Sequence, residues 1–174
     1  MKKILTCLAL IATLNVHNVY SMQEEVSEST LALAQALYTK PSESFELIHA
    51  FVAARRSNID HADASTGNTW LHVEIINLCW GQAPARLITI AALLAHGADR
   101  TRQNSEELTP AACANDALYE STLGTSSVFT AHAQAALDLL QEEKPTKQTL
   151  INLAKKHKLT TLMPLLTGQH SNFV

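Results

Sequence analysis

An all-helical fold built from a repeated helix–turn–helix unit is the class this 174-residue sequence predicts, on three observations. Only five Gly and five Pro occur while 47% of the residues are hydrophobic, a balance that favours helix over a sandwich or barrel. Thr30, Thr69, Thr109 and Thr149 each open an apolar helical pattern, and they recur at an almost constant interval, as the units of a repeat protein do. Behind each lies a second segment that is apolar on more than one face. Such a helix needs cover on two sides, which stacked neighbouring units supply.

Residues 1–21 stand apart from the repeats. Lys2 and Lys3 precede an apolar run over 4–14, and small residues, Val19 and Ser21, close the segment. This is the order of a secretory signal peptide cut near Ser21, with an uncleaved N-terminal helix as the alternative. The run is shorter than the roughly 20 residues that span a bilayer, so no membrane association is expected after cleavage. The remaining domain, 22–174, carries 11 basic and 16 acidic residues, a formal charge of −5. Without a basic patch, nucleic acid is a poor partner.

In the first unit a helix from Thr30 precedes one over 45–52. In the second, a helix from Thr69 precedes one over 87–94. Thr109, with Pro110 at the first helical position, leads to 133–140, and Thr149 leads to 159–166. The stretches 38–44, 79–85 and 115–130 read as insertions between the two helices of a unit. The last is the longest, with room for a turn of helix before Gly124.

In the second unit, Gly67-Asn68-Thr69-Trp70-Leu71-His72 resembles the ankyrin signature G-x-T-P-L-H, with Trp70 in the usual place of Pro. Leu93-Leu94-Ala95-His96-Gly97-Ala98-Asp99 resembles the ending L-L-x-x-G-A-D. Leu108-Thr109-Pro110 keeps T-P, and 59–63 resembles the finger that precedes a new repeat. The match is best over 45–114. It implies a solenoid of about four ankyrin-like repeats, with a period near 40 where the family has about 33. Another helical solenoid is the alternative at the level of fold. The resemblance gives structural roles to Gly67, Thr69, Leu71, His72, Gly97, Ala98, Asp99, Thr109 and Pro110, with His72 tying neighbouring repeats together.

The same resemblance places partner binding at the fingers: Asp60, His61, Asp63 and Ser65 in one, Arg100, Arg102, Asn104 and Glu106 in the next. Trp70 reads either as packing or as a binding hot spot, as does Trp80. Cys79 and Cys113 read either as a disulfide of an exported protein or as two buried thiols. The seven histidines that survive cleavage are scattered, and no CxxC or HExxH occurs, so no metal, cofactor or catalytic residue is expected. The function expected is a monomeric protein–protein interaction scaffold, secreted or periplasmic, with a host protein among the targets such exported repeats engage. A small periplasmic hydrolase or metal-dependent enzyme on a helical scaffold is the alternative. It lacks a nucleophile motif, a phosphate loop and a metal constellation.

Overall fold

The computed structural model describes residues 44–55, 58–81, 84–122 and 127–167. They form seven helices: α1 (Ser44–Ala54), α2 (Trp70–Gly81), α3 (Arg86–Ala95), α4 (Pro110–Thr122), α5 (Ser127–Gln141), α6 (Lys147–Lys156) and α7 (Leu162–Thr167). No strand occurs among the described residues, only an isolated antiparallel bridge between Ala62 and Thr69. None of these helices is long and apolar enough to cross a membrane. The expected signal segment, the helix from Thr30 and the insertion at 38–43 lie outside the described residues.

The centre of the fold is α3. Seven of its ten residues are buried, Leu87, Ile88, Ile90, Ala91, Ala92, Leu93 and Leu94, and they point in all directions around the helix. A helix apolar on every side is stable only when surrounded, and α3 packs against α1, α2, α5 and α6. Burying each leucine or isoleucine contributes about 1.5–3 kcal/mol. In front of the row α1–α3–α5 lie α2 and α4, which pack on each other. The buried Leu71, Ile75 and Leu78 form one stripe of α2 at helical spacing.

The last hairpin does not extend this order. α6 packs on α5 and α3, and α7 on α6 and α1. Lys147 at the start of α6 pairs with Glu46 of α1, while Lys156 and His157 at its end meet Asp138 of α5. α6 therefore crosses behind α3 from α1 towards α5. A single apolar stripe, Leu150, Leu153 and Ala154, suits it to this outer layer.

Four boundaries differ from the sequence expectation. Thr149 does not open α6. Thr146 is the N-cap and Thr149 is the third helical residue, each side chain bonded to the other's backbone N–H in a capping box. The stretch 79–85 is not a loop from its start, because α2 runs on to Gly81 and buries Cys79. Most of 115–130 is helix as well. Ala117 and Leu118 continue the core-facing side of α4 while Asn115 and Asp116 face solvent, so packing outweighs their weak helix propensity. The final helix begins at Leu162, because Leu159 closes the turn after α6.

Candidate functional site

Two loops run beside α2 and α4, and each folds on its own acidic or amide side chain. In the first, Asp63 is buried and its Oδ1 accepts from the N–H and hydroxyl of both Ser65 and Thr66. The Ser65 hydroxyl, then the Thr66 N–H and hydroxyl, hold the Asp63 carboxyl down at about 2. Gly67 closes the turn at φ +67°, bonding its N–H to the Asp63 carbonyl. In the second loop Asn104 Oδ1 accepts from the N–H groups of Glu106 and Leu108.

The two loops are locked together. Ser105 N–H donates to the Thr66 carbonyl at 2.9 Å, and Asn104 Nδ2 donates to Asn68 Oδ1 at 2.9 Å. A Cβ on Gly67 would lie 2.6 Å from Ser105 N, so this approach needs glycine. Further along, Asp99 N–H donates to Asp60 Oδ1 at 2.8 Å.

His72 makes the deepest link. Thr69 N–H donates to His72 Nδ1 at 3.2 Å, which makes Nδ1 an acceptor and leaves the hydrogen on Nε2. Nε2 then donates to the Leu108 carbonyl at 3.0 Å. Burial holds the imidazole below its ordinary value of 6.5, consistent with this neutral form. The Thr69 hydroxyl also turns to Nδ1, at 2.8 Å, so it does not cap α2 as expected. Thr109 does cap α4, accepting from Ala112 N–H.

Between the loops and the front helices runs a groove of about 410 Å³. Its walls and floor include Ser65, Thr66 and Asn68 of the first loop and Asn104, Ser105, Glu106 and Leu108 of the second. Ile76 of α2 and Cys113 and Asp116 of α4 complete it. Ser65 and Ser105, Thr66 and Glu106, Asn68 and Leu108, and Ile76 and Asp116 each stand one repeat period apart, at the interval that separates Thr69 from Thr109. Eight of the ten lining residues are thus two copies of the same four positions.

No family model matches the chain, and comparison with curated proteins and with solved structures gives no match either.

The residues expected at a partner surface separate into two groups. His61 and Arg102 are exposed. Asp63, Asp60, Asn104 and Arg100 have partners within the chain. The Arg100 guanidinium donates to the carbonyls of Leu140, Glu142 and Glu143 at the end of α5. Trp70 meets Phe51 edge-on at 5.7 Å and donates to Glu74, which also pairs with Arg86 at 2.9 Å. The Trp80 side chain lies outside the described part. Cys79 and Cys113 are buried free thiols. Burial pushes Cys79 up to about 12 and Cys113 to about 11, so both stay protonated and unreactive. Among the described residues no three His, Cys, Asp or Glu side chains converge for a metal.

Thr66, Asn68, Ile76, Ser105, Leu108, Cys113 and Asp116 escaped the sequence reading as site residues. The repeat period holds a signal for Ile76 and Asp116, which occupy the same place after the threonines Thr69 and Thr109.

Proposed function

We propose that this chain is an exported protein-binding module of ankyrin-like repeats, and that its partner lies in the groove between the two loops and α2 and α4. The observation that carries this is the locking of one loop to the next. Ser105 to Thr66, Asn104 to Asn68 and His72 to Leu108 fix the groove walls before any partner arrives. Preorganised walls lose little conformational entropy on binding. The matching of groove positions one repeat period apart, and the Gly67-to-His72 and Leu93-to-Asp99 motifs, support the ankyrin-like reading. The charged lead segment, 1–21, supports export to the periplasm or beyond, where a host protein is one candidate target.

A photo-crosslinking amino acid placed at Ser105 in the groove, or at Lys155 on the back hairpin, tests this. Capture of one protein partner from Ser105 and not from Lys155 is expected. Capture from Lys155 alone would refute the groove as the binding face.

A further inference from the structure

The groove is charged in one sense only. No basic side chain lines it, and its two ionic residues, Glu106 and Asp116, are exposed carboxylates from two different elements, the second loop and α4. Neither forms an ion pair among the described residues. Both charges are felt at the Cys113 thiol on the floor, where they add to burial in disfavouring the thiolate. Their fields therefore converge on one part of the groove. Ile76, Leu108 and Cys113 give an apolar floor, and Ser65, Asn68 and Ser105 a neutral polar rim. Tyr119 is 65% exposed and stands three residues after Asp116, one turn along the same side of α4. Tyr119 is outside the groove lining, but an aromatic side chain one turn from Asp116 suits a cationic side chain entering there.

We propose that the groove takes an extended segment of a partner protein that presents an Arg or Lys side chain beside an apolar one. The cation would lie between Glu106 and Asp116, its stem against Tyr119, and the apolar neighbour on Ile76 and Leu108. This rests on the reading of the groove as the binding face. Charge complementarity selects the occupant: an acidic segment would meet like charge from both carboxylates, whereas a basic one is attracted from a distance. The volume falls in the range of sites that hold one compact ligand, enough for two side chains and the backbone between them.

The test uses the isotope-labelled full chain and three pools of short peptides. Their central pair is Arg-Leu, citrulline-Leu or Glu-Leu, flanked by random Gly, Ser and Thr. Backbone amide shifts locate binding. With the Arg-Leu pool, shifts are expected at residues 65–68, 104–108 and 113–119. Affinity should be about tenfold above the citrulline and Glu pools and fall with added salt. The double variant Glu106→Gln, Asp116→Asn, both at exposed positions, should lose that advantage while keeping its amide spectrum elsewhere. Equal binding of all three pools in the groove would overturn the charge preference and leave the groove reading intact. So would an unchanged double variant. Free arginine amide binding as tightly as the peptides would replace the protein segment by a small cation. Shifts confined to other surfaces, or none with any pool, would overturn both readings.

Discussion

Gly67 and Gly97 separate two reasons for glycine. Both have positive φ, +67° and +93°, but only Gly67 faces another backbone, and nothing lies within 4 Å of a Cβ at Gly97. Gly97→Ala should cost only the left-handed penalty of about 1 kcal/mol, and Gly67→Ala about 2–3 kcal/mol because the second loop must move. Urea unfolding of the two variants checks the difference. Three histidines set a pH dependence. His49, His72 and His132 are each held below 6.5, chiefly by burial. The unfolded chain therefore takes up protons first, and stability falls as pH drops through 6.5, levelling once the folded imidazoles titrate. The urea midpoint should decrease from about pH 7.5 to about pH 5.5, a window above that of Asp63, whose contribution is lost only towards about 2. His132 Nδ1 is buried with no hydrogen-bond partner among the described residues. His132→Leu should therefore reduce the acid loss without costing stability at neutral pH.

At the level of elements, helix ends hold neighbouring segments in place. α3 ends in a Schellman turn, Gly97 N–H to Leu94 and Ala98 N–H to Leu93. α6 repeats it with Lys158 at φ +56°, bonding Lys155, and Leu159 bonding Ala154. The end of α5 is closed differently, by Arg100 from a loop one repeat earlier. Arg100→Ala should cost about 2 kcal/mol, and Lys should restore only part, since one ammonium cannot span carbonyls that a planar guanidinium reaches together. Thr146→Ala should cost about 1 kcal/mol by removing the cap of α6. Thermal melts of the three variants check the order.

For the whole molecule, the back hairpin is the element whose removal matters most. α6 and α7 cover α1, α3 and α5 from behind, with Asp138 joined to both Lys156 and His157. Hydrogen bonds from these two outweigh burial and hold the Asp138 carboxyl below its usual range. Deleting residues 146–174 should expose the rear of the central row and produce aggregation, seen as light scattering that rises with concentration. A soluble fragment with a cooperative melt would show that the front layers suffice. Period and apolarity mark the two helices of this hairpin in the sequence but place them in line with the other units. The order of stacking depends instead on packing between helices far apart in the sequence, such as α7 on α1.

Sequence alone determined the helical class, the positions of most helices and the two loops before α2 and α4. These follow from local causes: periodic Ala and Leu, threonine and proline at helix starts, glycine where φ is positive. Tertiary structure decided which polar residues face inward and which line the groove. Asp63, Asn104 and Arg100 look like exposed recognition residues in the sequence, yet each satisfies backbone groups of its own chain. Glu106 reads as a finger residue in the sequence and Asp116 as an ordinary surface acid, yet the two share a groove. Asp63 and Asn104 are turned inward by N–H groups of their own loops, a choice that composition alone does not distinguish from solvent exposure, whereas Arg100 is turned by carbonyls about forty residues away. The helical class was legible because its causes are local, and the groove was not because its two loops are joined by contacts between segments far apart in the sequence.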